Sequence, residues 1–419
     1  MKVAHAQMAL YKENRFEISV GLDATSVLFS QNNPWFGEAA ANIGAETGEW
    51  GEFAVSPGLY FTIDSTFGGQ VFGGISGVGT KTYDESADGI AVGSDDPGKI
   101  TLEKAFLGWR RDFSEETSIE LTGGNFDYEI GSGFLVKDGG SDGGNRGGFY
   151  LGARSAFYRS GLVRFTVGNL LTEAFYLVNN PRRGGIEGAI AGVNLEYDFS
   201  GRAKIGATYI DVVDVDDPQV GPVGEKLRTY DFRAETTPLE NLTLSGEYAF
   251  QNGAGLFEGK GWWLQPSYSL DDAPLKPTLA YRYAVVTGDD PNTADSEEFQ
   301  PLAYGFTDYA QWYQGEITGN WIFGNTNQRT HLVKGSISPI ESITLTAVWL
   351  NIKLDKPGAL GVASDNLGNE FDVFLDWQVN DLLFLSAAMA ILSPGNGAKQ
   401  FTGGDDTWSH FMLYASFGL

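Results

Sequence analysis

Apolar and polar residues alternate along this chain in short runs. Phe371, Val373, Leu375 and Trp377 fall two apart, with Glu370, Asp372, Asp376 and Gln378 between and beside them. Val193, Leu195, Tyr197 and Phe199 oppose Asn194, Glu196 and Asp198 in the same way. Leu242, Leu244, Tyr248 and Phe250 oppose Thr243, Ser245 and Glu247. Over 148–159, Phe149, Leu151, Ala153 and Phe157 oppose Tyr150, Gly152, Arg154 and Tyr158. A period of two marks strands, and helical periodicity is nearly absent. The polar faces are too charged for a dry sandwich, because burying Glu370, Asp372 and Asp376 there would cost several kcal/mol per group. They face water, either outside a sheet or inside a wet lumen.

The connections favour the lumen. Short links at 112–117, 159–161, 200–202, 237–241 and 379–381 alternate with long ones at 83–98, 136–148, 214–226, 355–368 and 393–407. A short–long rhythm belongs to up-and-down barrels of the outer membrane, with tight periplasmic turns and long outer loops. Roughly nineteen alternating segments can be counted, whereas single-chain barrels take even numbers. Parity puts the discrepancy at 308–324. If that segment is part of an outer loop, the barrel has about 18 strands; if 298–305 supplies a partner strand, it has about 20. The prediction is therefore an all-β chain, a single transmembrane antiparallel barrel over 15–419. Residues 1–14 form an N-terminal segment. Ala4-His5-Ala6 resembles a signal-peptidase site without the apolar core that should precede it, so this segment reads either as a signal remnant or as an ordinary start.

Composition narrows the function classes. The chain of 419 residues has 56 glycines and 13% aromatic residues, which suits crowded strands and many turns. It has no cysteine, which removes thiolate chemistry and disulfides. A net charge of −26 argues against nucleic-acid binding. No apolar run approaches the ~18 residues of a transmembrane helix, and barrel strands do not need one.

Residues 275–395 resemble the alginate export family of bacterial outer-membrane barrels. The resemblance rests on Gly288-Asp289, Phe299, Pro339, Gly368-Glu370-Asp372 and Pro394-Gly395, in that order. It implies a monomeric barrel of about 18 strands that passes a solute or polymer passively. Gly124 and Asn125 stand where that family often carries Arg and Gln, so the resemblance does not imply the same constriction or alginate itself.

With the polar face inward, the lumen carries both signs. Its basic candidates are Arg154, Arg164, Lys204, Arg233 and Arg282. Its acidic candidates are Glu120, Glu196, Asp198, Asp231, Glu247, Glu370, Asp372 and Asp376. Tyr150, Tyr158 and Trp263 add rings with polar tips. Such charges either set a field for polar solutes or pair with each other and stiffen the wall. The glycine loop at 138–148 is long enough to fold into the pore. Acidic loops at 84–89, 211–217 and 288–298 offer oxygen ligands for Ca²⁺, although none has the spacing of a calcium loop; no other cofactor is expected.

The expected function is a passive channel for a polar solute, such as an oligosaccharide or a uronate-type polysaccharide. The expected surroundings are outer-membrane lipid and lipopolysaccharide. Two other readings are a barrel that encloses or docks a periplasmic or outer-membrane partner protein, and a barrel hydrolase. An enzyme is not expected, since only His5, His331 and His410 are present. Phe411, Leu413, Ala415 and Phe417 should face lipid on a last strand that closes against the first.

Overall fold

The computed structural model describes residues 8–39, 47–65, 68–83, 98–140, 146–179, 188–215, 226–253, 258–305 and 312–419. Among the described residues the strands are β1 Met8–Glu13, β2 Phe16–Asn32, β3 Thr47–Asp64, β4 Gln70–Tyr83, β5 Gly98–Ser114, β6 Thr117–Phe126, β7 Phe157–Val167, β8 Leu170–Val178, β9 Gly188–Asp198, β10 Ala203–Val215, β11 Arg228–Leu239, β12 Leu242–Asn252, β13 Lys260–Ser269, β14 Thr278–Val286, β15 Gln328–Ile340, β16 Ile343–Leu354, β17 Asn366–Gln378, β18 Leu383–Pro394 and β19 Trp408–Gly418. From β2 onward each strand pairs antiparallel with the next. β19 pairs with β2 from Ser409↔Asn32 to Gly418↔Asp23 and closes the ring. The result is a closed 18-strand barrel. The extra strand β1 runs along β2 from Met8↔Val20 to Glu13↔Phe16, continuing the line of β19 on the same edge.

Turn chemistry sets the short connections. Between β9 and β10, Ser200 (φ 57) and Gly201 (φ 76) are both left-handed, the geometry whose twist suits a hairpin. The Asp198 carboxylate accepts the Gly201 N–H at 2.6 Å and fixes that turn. Glycine and aromatic residues interlock on the inner wall. The Tyr60 ring lies over Gly74, where a Cβ would come within 2.3 Å of it, and the Phe72 ring lies over Gly108 at 2.2 Å.

The outer face follows the alternation. Phe371, Val373, Leu375 and Trp377 are exposed on β17, as are Val193, Leu195 and Tyr197 on β9 and Phe411 and Leu413 on β19. Their neighbours Glu370, Asp372, Asn194, Glu196, His410 and Met412 are buried inside. This apolar outer belt around a polar interior is what a bilayer requires of a barrel.

The inner space is not an empty tube. The described parts of the loops at 127–156 (β6–β7) and 287–327 (β14–β15) fold into it, and both loops contribute to two apolar clusters against different parts of the wall. One apolar cluster joins Phe134, Leu135, Phe299 and Trp312 to Phe175, Ile210 and Ala284 on the wall. The other joins Tyr150, Tyr313 and Ile317 to Val27, Leu332, Leu350, Phe374 and Met412.

Two predicted segments are corrected here. The strand expected over 148–159 begins only at Phe157, and the residues before it belong to the β6–β7 loop. Gly147, Gly148 and Gly152 take positive φ there, and the backbone N–H groups of Tyr150, Leu151, Ser155 and Ala156 go to wall carboxylates instead of a ladder. The described part of 308–324 is also loop, with a single π-type turn at Thr318–Ile322. Residues 298–305 supply no strand and meet the other loop through one parallel bridge, Val136↔Ala303. The count is therefore 18 and not 20.

Candidate functional site: the narrowed lumen

The β6–β7 loop turns inward at a bulge at the end of β6. Gly124 has φ +123, and a Cβ there would sit 2.2 Å from the Ala105 carbonyl. Asn125 next to it accepts the Arg159 N–H at 3.0 Å. Acidic side chains of the wall then hold the loop. Glu103 accepts from Ser155 and Ala156 N–H at 2.9 and 2.8 Å and pairs with Arg154 at 3.2 Å. Glu52 accepts from Tyr150 and Leu151 N–H at 3.3 and 3.0 Å. Tyr128 and Ser132 hydroxyls donate to Glu173 (2.9 Å) and Glu247 (2.5 Å). The two inward loops are joined to each other by Lys137 N–H to Ala303 O at 2.6 Å and Gly305 N–H to Gly133 O at 2.9 Å.

A charged network runs over β6 to β12. Arg164 bridges Glu173 (2.7 Å) and Glu120 (3.3 Å). Arg233 donates to Asp231 (2.7 Å), Thr208 (2.7 Å), Glu196 (2.9 Å) and Asn194. Lys204 reaches the other Glu196 oxygen at 2.5 Å. The exposures are uneven. The Arg164 side chain is 38% exposed and its partner Glu173 3%; Lys204 is 56% exposed and Glu196 10%. In these two pairs the carboxylate lies at the wall and the cation stands in front of it, while exposed Asp198 and Glu235 lie opposite Lys204 on the neighbouring strands.

Across the barrel the pattern is different. On β17, Glu370 accepts N–H groups of Ile317 (2.6 Å) and Thr318 (2.9 Å) and the Thr318 hydroxyl. Asp372 accepts the Tyr313 hydroxyl. Glu316, on the same loop, accepts the Tyr150 hydroxyl at 2.5 Å. Burial pushes the Glu316 carboxyl up to about 7.

The predicted lumen residues fall into three groups. Arg164, Lys204, Arg233, Glu120 and Glu196 form the network, and Glu247 adjoins it, accepting also from Trp263 Nε1 at 3.2 Å. Glu370 and Asp372 hold the β14–β15 loop, while Asp376 on the same face accepts the Ser386 hydroxyl at 2.7 Å. Arg154, Tyr150 and Arg282 are packed between loop and wall, with Arg282 over the Trp312 ring at 4.7 Å. Half-buried Tyr158 lies under the Arg159 guanidinium at 4.7 Å. Glu52, Glu103, Glu173, Tyr313 and Glu316 escaped the sequence reading. Glu173 sits on an inner face with Leu171, Phe175 and Leu177, so its strand shows no polar side to look for. The signal that could have found Glu173 is a lone carboxylate inside an apolar run.

Other predicted chemistry is placed as follows. His331 faces outward beside Tyr281, whose hydroxyl lies 2.8 Å from Nδ1, while His410 faces inward, so the two cannot share a site. In the loop at 288–298, Asp289 and Asp290 accept the Glu297 and Asn292 N–H groups, and Lys356 binds Asp290 at 3.1 Å. Among the described residues no group of three or more His, Asp or Glu side chains is arranged to hold a metal. Residues 84–89, 141–145 and 216–217 of the predicted loops lie outside the described residues.

No family model matches the sequence, and no curated protein matches it. The alginate-export resemblance is therefore not supported, although the barrel it implied is present. Solved structures do match the fold. OccK7 (OpdD) of Pseudomonas aeruginosa aligns over 96% of this chain and 98% of its own, at 13% identity and TM-score 0.60. OccAB1 of Acinetobacter baumannii aligns over 96% of both chains, at 11% identity and TM-score 0.61. OpdK of Pseudomonas aeruginosa, solved with vanillate, aligns over 96% of this chain and 98% of its own, at 16% identity and TM-score 0.55. These neighbours are outer-membrane porins, and the chain has their fold.

Proposed function

We propose that the chain is a passive outer-membrane channel for polar solutes, and that the solutes it favours carry carboxylates, as uronate-type oligosaccharides do. One observation carries the reading. The lumen of a closed, lipid-belted barrel is narrowed by two inward loops, and Arg164 and Lys204 present exposed cationic tips there while the carboxylates they pair with, Glu173 and Glu196, are buried. Charged side chains lining a pore set its selectivity. The solved neighbours support the channel reading, and the vanillate carried by OpdK is itself a carboxylate, which agrees with the solute class. The test is single-channel recording in planar bilayers under a salt gradient. An open conductance that is blocked by uronate oligomers, and less by neutral oligomers of equal length, supports the proposal. An open pore that neutral and uronate oligomers block equally refutes the solute class, and a silent bilayer refutes the channel.

A further inference from the structure

The outward face of β4 to β9 departs from the charge balance of the molecule. The chain carries −26 overall. Yet the outward residues of these strands include three charged side chains, Lys81, Arg111 and Arg159, and none is a carboxylate. The same wall holds a groove of about 670 Å³. Its shape follows from register. One rung reads Leu107, Gly123, Gly161, Tyr176 across β5 to β8, so two glycines stand between two large side chains. A Cβ at Gly161 would meet nothing within 4 Å, and one at Gly123 only the Ser160 carbonyl at 3.9 Å. On the next rung toward the periplasm, Leu121 and Val163 bound this notch. On its outer side stands Arg159, two residues before Gly161 on β7 and about 7 Å away along the strand.

Arg159 is exposed. Its backbone N–H donates to Asn125 Oδ1 at 3.0 Å, and its guanidinium lies 4.7 Å over the Tyr158 ring. Among the described residues no carboxylate pairs with it. Glu120 and Glu173 of the adjoining strands face the lumen and are engaged by Arg164, and Asp127, just past β6, pairs with Lys104 at 2.6 Å. Apolar lining alone selects no ligand here, because lipid tails are as apolar as leucine and meet every outward residue. A phosphate is different, since a guanidinium binds it through paired, charge-assisted hydrogen bonds. A headgroup held at Arg159 would bring its own acyl chain beside the notch. We propose that this face docks a phosphorylated, multiply acylated glycolipid of the outer leaflet, with a phosphate on Arg159 and an acyl chain between Gly123 and Gly161. Lys81, near the outer end of β4, adds to the positive field on the same face.

The test uses the full-length protein folded in detergent, multiply acylated diphosphoryl lipid A as the probe, and native mass spectrometry as the readout. The expected result is that lipid A binds about tenfold or more tightly than the same lipid stripped of phosphate, the loss that removing a charge-assisted hydrogen bond implies. Phosphatidylglycerol should bind more weakly than lipid A, and inorganic phosphate should not displace it. Arg159→Gln should weaken lipid A binding by about tenfold and leave the dephosphorylated lipid unchanged. Gly161→Leu fills the notch without a clash and should weaken both lipids. Arg111→Gln, at the periplasmic end of the same face, should change neither. All three variants should keep the gel mobility of the folded barrel, since Arg159 and Arg111 are exposed and the space at Gly161 is open. Unchanged lipid A binding in Arg159→Gln overturns the proposal. Phosphatidylglycerol binding as tightly as lipid A would make the contact a general one for anionic phospholipid, and displacement by inorganic phosphate would make it an anion site without an acyl chain. A barrel that is dimeric until Gly161→Leu separates it would make a second copy the occupant. Each of these also overturns it. No arm uses conductance, so a silent bilayer would refute the channel and leave the docking site standing.

Discussion

Arg233→Met gives the sharpest test of the charged network. The Arg233 side chain is 10% exposed, and its guanidinium satisfies a fully buried Asp231, a largely buried Glu196, Thr208 and Asn194 together. Methionine keeps most of the aliphatic stem, so the loss is mainly electrostatic. Glu196 keeps Lys204 at 2.5 Å, but Asp231 loses its only salt-bridge partner among the described residues. Removing one member of a buried pair costs about 3–5 kcal/mol, because the remaining charge stays desolvated. The double variant Arg233→Met/Asp231→Asn removes that stranded charge and should recover about 1–3 kcal/mol, the usual coupling between contacting residues. Denaturant titration of the detergent-folded barrel, followed by tryptophan fluorescence and by gel mobility, measures both. A single-variant loss below about 1 kcal/mol would place the network in the class of solvent-screened pairs. A double variant less stable than the single one would show that Asp231 is not stranded, and the reasoning would fail.

Other outcomes follow from the same geometry. Phe232 projects outward and is 60% exposed, so Phe232→Arg should cost up to about 2–4 kcal/mol of folding stability in vesicles, depending on its depth. Arg164→Gln and Lys204→Gln should move the reversal potential toward cation selectivity while folding survives, since Glu173 keeps the Tyr128 and Asn194 donors and Glu196 keeps Arg233. Arg154→Glu and Arg282→Glu should instead lower folded yield, because both arginines are fully packed. Gly206→Ala should reproduce part of the Arg233 defect, since the new Cβ would lie 2.6 Å from Arg233 Nε. Gly124→Ala strains a φ of +123 and collides with the Ala105 carbonyl, at about 1–3 kcal/mol, and should raise conductance noise as the β6–β7 loop loosens.

The wall was legible because lipid imposes a simple rule on it. Outward residues must be apolar whatever lies inside, so β9, β12 and β17 could be read from alternation alone. The inner loops were not legible, for the same reason in reverse. Once they fold in, the lumen acquires apolar cores of its own. Phe175, Leu177 and Phe374 then sit on the water side of the wall, and alternation no longer reports direction. The stretch 148–159 alternates like a strand but is pinned as loop by Glu52 and Glu103, acids far away in sequence. Glu316 and its partners Tyr150 and His410 come from three distant segments, and no local pattern links them.

The seam between β2 and β19 has a kinetic meaning. Every other contact in the ring joins neighbouring strands, and most of these can form as the chain is laid down. The seam joins Asp23–Asn32 to Ser409–Gly418, nearly the whole chain apart, and its loop-closure entropy comes last. Until then the sheet has two bare edges, each able to capture a stray strand or a second open barrel. Leu22 and Leu419 exchange paired backbone bonds of 2.9 Å at the end of that seam. Closure makes the barrel a circle without a weakest rim, and its assembly is a race between this one long-range pairing and every wrong neighbour.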